Sequence, residues 1–111
     1  MRLAIALLTS LLLVSLPASA KPGGGAFISG KELLRDCESK TRSLCLGFIG
    51  GVNDASFVLN MVPYCTPNNL TLSQLQPVVT KWLHAHVDQL HRDAAFLVMT
   101  ALEEVFPCRA K

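Results

Sequence analysis

Four cysteines, Cys37, Cys45, Cys65 and Cys108, punctuate a chain whose apolar residues recur at helical intervals between them. They constrain the fold because a disulfide joins residues whose Cα atoms lie within roughly 7 Å. Successive gaps of eight, twenty and forty-three residues lack the close C-x-x-C pairs of a zinc site, so the even count reads as two bridges and no metal is expected. The start of the chain supplies a compartment that suits them. Arg2, an apolar run over residues 3–16 and the small-x-small triplet Ala18-Ser19-Ala20 are the three regions of a secretory signal peptide. That run is shorter than the roughly 20 residues a spanning helix needs, and a glycine run follows it without a stop-transfer pattern. Cleavage after Ala20 is expected to release an exported, periplasmic chain with no membrane anchor.

Residues 1–20 are therefore read as a signal peptide, 21–28 as a flexible glycine-rich leader, and 29–111 as one small helical domain. The formal net charge is +2, and removing Arg2 brings it nearer to neutral. Nucleic-acid binders and polybasic membrane surfaces need clustered Lys and Arg, so neither partner is expected.

Helix signals organise the domain. Ser29-x-x-Glu32 is a capping box, followed by Leu33, Leu34 and Cys37, which predicts a first helix to about Lys40. Thr41 or Ser43 is expected to cap a second helix. Its apolar positions Leu44, Cys45, Phe48, Val52, Ala55 and Leu59 run to about Met61, before Pro63. Within it Gly47, Gly51 and Ala55 form a stripe of small residues. Each helical glycine costs about 1 kcal/mol against alanine, so the stripe needs a reason. Close helix approach in the core is the expected one, and a flat face for a partner subunit is the other.

Thr71-x-x-Gln74 and Ser73-x-x-Gln76 are overlapping capping boxes for a third helix with Pro77 just inside it. Its inner face is Leu75, Val78, Val79, Trp82, Leu83 and His86. Asp88 is the expected N-cap of a fourth helix that carries Ala94, Leu97, Val98, Ala101, Leu102 and Val105 inward and stops at Pro107. Trp82 and Phe96 are both assigned to the core. No segment alternates with period two. The fold class is all-α, a compact bundle of about four helices stapled by two disulfides.

Helix geometry then constrains the pairing. Cys45 and Cys65 lie at opposite ends of a helix about 24 Å long, too far apart to join. A hairpin of the first two helices brings Cys37 to Cys45, and an antiparallel fourth helix brings Cys108 to Cys65.

Chemistry is sparse. The chain has no G-x-S-x-G elbow, zincin motif or phosphate-cradling glycine loop, and no catalytic residue or cofactor is assigned. Asp54 reads as a structural acid bonded to a neighbouring group. His84, His86 and His91, with Asp88, gather near the turn between the third and fourth helices, a composition that suits metal or pH sensing. The favoured reading is a set of polar turn residues, with His86 capping the carbonyls of the third helix.

The ordered pattern is more specific than any one motif. Gly30-x-x-Leu33-x-x-x-Cys37 precedes Cys45-x-Gly47-Phe48-Ile49-x-Gly51-x-x-Asp54; then come Cys65-x-Pro67, Val78-Val79-x-x-Trp82-Leu83-x-x-His86 and Phe106-Pro107-Cys108. This series resembles the Rap/Tai family of periplasmic immunity proteins, which protect bacteria against amidase toxins delivered by type VI secretion. The resemblance implies a small helical protein, without enzymatic activity, that binds a peptidoglycan amidase effector and occludes its active site. It also implies that a homodimer is to be expected. A small periplasmic stress protein resembling the acid chaperones is the alternative. Binding residues are expected on the polar connections at 66–71 and 84–92: Asn68 and Asn69 on the first, and Asp88, Gln89, His91 and Arg92 on the second, which is the favoured one.

Overall fold

The computed structural model describes residues 25–109, so the signal-peptide reading and the leader through residue 24 lie outside the described residues. Ser29 opens the first helix as its spacing predicts. The Glu32 N–H donates to its hydroxyl at 3.3 Å, while the Ser29 N–H donates to the Glu32 carboxylate at 2.8 Å. The box starts α1, Gly30–Glu38, whose Leu33 and Cys37 turn inward. Thr71 and Gln74 exchange the same pair of bonds ahead of α3, Leu72–Ala85. Between them lies α2, Ser43–Val58, and the last helix is α4, Ala94–Val105.

Every helix packs against the other three. Leu33, Ile49, Val79, Leu83, Leu97 and Leu102 fill the centre. Among the described residues there is no strand, only isolated bridges joining Ser29 to Asp93 and Tyr64 to Pro107. The all-α bundle is as expected. So are its staples: Cys37 bonds Cys45 with Cα atoms 4.8 Å apart, and Cys65 bonds Cys108 at 4.9 Å.

Three helix ends differ from the sequence expectation. Neither Thr41 nor Ser43 caps α2. Arg42 occupies that position at φ 48°, with no side-chain cap, because the short Cys37–Cys45 loop forces an abrupt reversal. α2 stops at Val58, short of Met61, as Asn60 turns left-handed at φ 54°. Asp88 does not cap α4 either. It sits in a single 3₁₀ turn, Val87–Gln89, and α4 begins only after Asp93. The intervening backbone is committed elsewhere. Gly30 and Lys31 donate their N–H groups to the carbonyls of Arg92 and Leu90, each at 2.9 Å, and Ala94 donates to Ile28 at 2.9 Å. Those bonds satisfy groups that a longer α4 would have paired within itself.

The largest correction concerns the faces of α2. Leu44 and Leu59, assigned inward by periodicity, are 58% and 66% exposed, and Ala55 is also exposed. A Cβ added at Gly47 or Gly51 would meet nothing within 4 Å, so the small-residue stripe does not serve close packing inside the domain. The close approach is at Gly30 instead. A Cβ there would come 2.3 Å from Leu97 Cδ1 and 3.1 Å from the Leu90 carbonyl oxygen.

Candidate functional site

The antiparallel α3–α4 pair has two polar ends, and the candidate binding residues are divided between them. Residues 86–93 form the first end. His86 closes α3 with its ring: Nδ1 lies 2.7 Å from the Trp82 carbonyl, and since a carbonyl only accepts, Nδ1 carries the proton. The imidazole stacks on Trp82 with centroids 3.8 Å apart. This is the capping role expected of it. The 3₁₀ turn follows, bonded internally from the Gln89 N–H to His86 and from the Arg92 N–H to Gln89, both at 3.0 Å. Asp88, His91 and Arg92 are exposed and Gln89 is half-buried.

Two anchors brace this turn. The start of α1 binds its carbonyls, as described above, and the Arg92 guanidinium lies 4.2 Å from the centroid of the Phe96 ring. Phe96 itself is 46% exposed, a correction to its core assignment. The acid nearest the start of α1 is Glu32. Hydrogen bonds from the Ser29 backbone N–H and then from its hydroxyl hold that carboxyl below the ordinary carboxylate range.

Asn68 and Asn69 lie at the opposite end, between Cys65 and the Thr71 cap, where Asn69 adopts φ 67°. The fourteen residues of α3 separate them from the 3₁₀ turn by about 21 Å. The two groups therefore do not form one site. Beside the Asn68–Asn69 loop is a cavity of about 280 Å³ lined by Asn53, Asp54, Thr66 and Thr71 among others. The Tyr64 hydroxyl donates to Asn53 Oδ1 at 3.0 Å, and the Asn53 amide donates to Asp54 at 3.4 Å. Asp54 is exposed, so the acid read as structural faces solvent with a single weak side-chain partner.

The histidines diverge. His84 Nε2 pairs with Glu38 of α1 at 2.6 Å, His86 Nε2 turns towards Glu104 at 3.9 Å, and His91 is exposed. Among the described residues no three His, Cys, Asp or Glu side chains converge as metal ligands, and none of the four cysteines is free. The Trp82 indole N–H donates to Glu104 at 2.5 Å. What this polar periphery offers is hydrogen bonds and charge to another macromolecule.

One surface was only partly read in the sequence, where its small-residue stripe was offered to a partner subunit as the second reading and its large apolar residues were assigned inward. The outer side of α2 and the segment after it expose Leu44, Phe57, Val58, Leu59 and Met61. An apolar groove of about 430 Å³ continues this surface between α2 and α4, lined by Val52, Leu59, Met61, Phe96 and Met99. The scarcity of polar residues along α2, where Asp54 is the one charged side chain, was the available signal.

The Rap1a immunity protein family matches residues 29–108, the span from the Ser29 cap to the last disulfide. The chain belongs to that family. No curated protein matches it. Membership makes this an immunity protein in general terms, and so a protein whose partner is a toxin. The matched span takes in both disulfides, the capping boxes and the two polar ends, so the fold and the candidate binding elements belong to the same unit.

Proposed function

We propose that this Rap1a family member acts in the periplasm, after cleavage of its signal peptide, by binding a peptidoglycan amidase delivered by type VI secretion and occluding its active site. The observation that carries the reading is the braced turn at residues 86–93. Asp88, Gln89, His91 and Arg92 are presented on backbone already fixed by α1, so little ordering entropy opposes docking. Their mixed donors and acceptors suit a cleft that accommodates peptide. Occlusion requires no catalytic group of its own.

The test is joint alanine substitution of Asp88, Gln89, His91 and Arg92, assayed against a type VI peptidoglycan amidase that the wild-type protein inhibits. Binding is expected to weaken about a hundredfold or more, the scale of lost interface hot spots, and inhibition of peptidoglycan cleavage to fall with it. Asn68→Ala with Asn69→Ala, about 21 Å away, should leave both unchanged. Undiminished affinity in a quadruple variant that keeps its helical signal would remove the turn from the contact.

A further inference from the structure

A groove lies between α3 and the α1–α2 connection, and no residue of 66–71 or 86–93 lines it. Two cavities, of about 270 and 420 Å³, share Arg42, Gln76 and Pro77 and so run into one another. Lys40 lines the first, Lys81 the second and Arg42 both, while no carboxylate lines either. The fold brings Lys81 of α3 to two cations of the α1–α2 connection, a grouping that no single stretch of sequence contains. All three are exposed. Among the described residues the ion pairs are those of His84 with Glu38 and His86 with Glu104, which leaves these three cations without a carboxylate. Glu38, which reaches the edge of the groove at His84, is already held there.

Gln76 supplies what a plain basic patch lacks. Its side chain is only 5% exposed. The Thr80 hydroxyl donates its proton to the Gln76 carbonyl at 2.9 Å, so it can only accept from the Gln76 amide, at 2.8 Å, and the amide oxygen is turned away. No donor among the described residues bonds that oxygen, yet none of their buried side-chain polar atoms lacks a partner; Gln76 Oε1 therefore opens to the groove it lines. Beside it, Pro77 has no N–H for the Ser73 carbonyl, its partner in a regular helix, and Ser73 lines the same groove.

We infer that this groove binds an acidic peptide segment of another protein, extended along α3. The segment's carboxylates pair with Lys40, Arg42 and Lys81, and its backbone N–H groups donate to Gln76 Oε1 and the Ser73 carbonyl. Ser73 and Lys81 are eight residues apart on α3, about 12 Å, which about four extended residues span. A polyphosphate chain offers oxygen acceptors alone, and those two oxygens would repel it. The chain's own ends cannot serve, because its first acid is Glu32 in α1 and its last is Glu104 in α4.

Arg42 is held ready for such a ligand. Its N–H donates to the Ser39 hydroxyl at 3.3 Å, and its carbonyl accepts from the Leu46 N–H at 2.9 Å. At φ 48° glycine or asparagine would relieve the backbone. An arginine there gives the groove a cation on a fixed stem, so less ordering opposes binding.

The probe is a short labelled peptide alternating glutamate and glycine, followed by fluorescence anisotropy on the oxidised, secreted protein. At physiological ionic strength charges more than about 8 Å away are screened. The peptide should bind. Glutamine in place of glutamate, N-methylation along the peptide backbone, or polyphosphate in place of the peptide should each weaken binding about tenfold or more. Lys40→Glu with Lys81→Glu, both at exposed positions, should do the same with the helical signal retained. Lys31→Glu with Arg35→Glu makes an equal charge change at exposed positions outside the groove and should leave affinity within about twofold. The quadruple alanine variant of the 86–93 turn should bind the peptide as the wild type does, which separates this site from the toxin reading. No binding of the acidic peptide overturns the inference. Equal weakening by the two charge-reversal pairs, or undiminished binding of the N-methylated peptide or of polyphosphate, also overturns it, since net charge alone would then attract the ligand. Loss of binding in the turn variant overturns it by moving the peptide to the other site.

Discussion

Replacing Gly30 with alanine should destabilise the domain although the change adds a single methyl group and favours helix. Gly30 is the first residue of α1 and is buried. Its new Cβ would stand 2.3 Å from Leu97 Cδ1, 3.1 Å from the Leu90 carbonyl oxygen and 3.2 Å from the Leu90 Cα. Leu97 is fully buried and has little room to withdraw. The Leu90 contacts are backbone, and the bonds from Gly30 and Lys31 to Arg92 and Leu90 hold that backbone in place. Overpacking of this kind costs about 1–3 kcal/mol. The propensity gain of alanine over glycine, at most about 1 kcal/mol, offsets part of it. A net loss of about 1–2 kcal/mol corresponds to a fall of roughly 5–15 °C in Tm for a domain of this size. Two other glycines supply the control. Gly47→Ala meets nothing within 4 Å and should gain up to about 1 kcal/mol. Gly50→Ala meets only the Leu72 methyls, at 3.2 and 3.6 Å, on a side chain that is 39% exposed and free to turn, so it should be nearly neutral. Urea unfolding of the oxidised protein, followed by the single tryptophan Trp82, should give the order Gly47→Ala, Gly50→Ala, Gly30→Ala from most to least stable. A Gly30→Ala protein as stable as the wild type would refute the account of the α1 contact. If the turn at 86–93 binds the toxin, Gly30→Ala should also weaken that binding, because the displaced backbone is that of Leu90.

The two disulfides should differ in weight. Removing Cys65–Cys108, which closes 43 residues, should cost about 4 kcal/mol, and removing Cys37–Cys45, which closes 8, about 2.6; denaturant midpoints of the paired Cys→Ala variants measure both. Burial, with the Asp54 charge adding to it, raises the Tyr64 phenol above its ordinary 10.0. A raised pKa means that stability from neutral Tyr64 is complete below the unfolded value and lost as pH rises through the folded one. Ultraviolet titration of this single tyrosine should show a midpoint above 10.0, and Tyr64→Phe should remove that part of the alkaline stability loss. Glu104→Ala leaves the Trp82 indole N–H without its carboxylate and should cost about 1–3 kcal/mol, with a shift in Trp82 emission that Glu103→Ala does not produce.

The helix starts that sequence reading located are those where side chains do the capping. Ser29 with Glu32 and Thr71 with Gln74 satisfy the first backbone donors locally, so the signal is contained in four consecutive residues. The cysteine pairing was legible for a related reason: a continuous helix is a rigid spacer, and only one arrangement brought all four cysteines within reach. The misplaced starts are those fixed from a distance. Arg42 takes a left-handed conformation under a cross-link to a different helix, and Asp93 replaces Asp88 because α1 and Ile28 claim the backbone between residues 90 and 94. Asp88 is chemically a good cap. It loses to tertiary hydrogen bonds that no local window contains.

The faces of α2 were illegible for a different reason. Periodicity locates a buried face by contrast with a polar one, and α2 has almost no polar side to contrast. Its apolar residues fit more than one inward stripe, and the one chosen took in Leu44, Ala55 and Leu59, all of which face solvent. A helix of sixteen residues that buries only three of them completely has more apolar surface than a four-helix domain can cover. Selection for folding alone would replace the surplus with charge, since a charged outer face improves solubility and leaves the core intact. Gly47 and Gly51 point the same way: alanine fits at both and strengthens a helix, yet glycine is there. A requirement that the folded monomer does not impose must come from something that contacts the monomer.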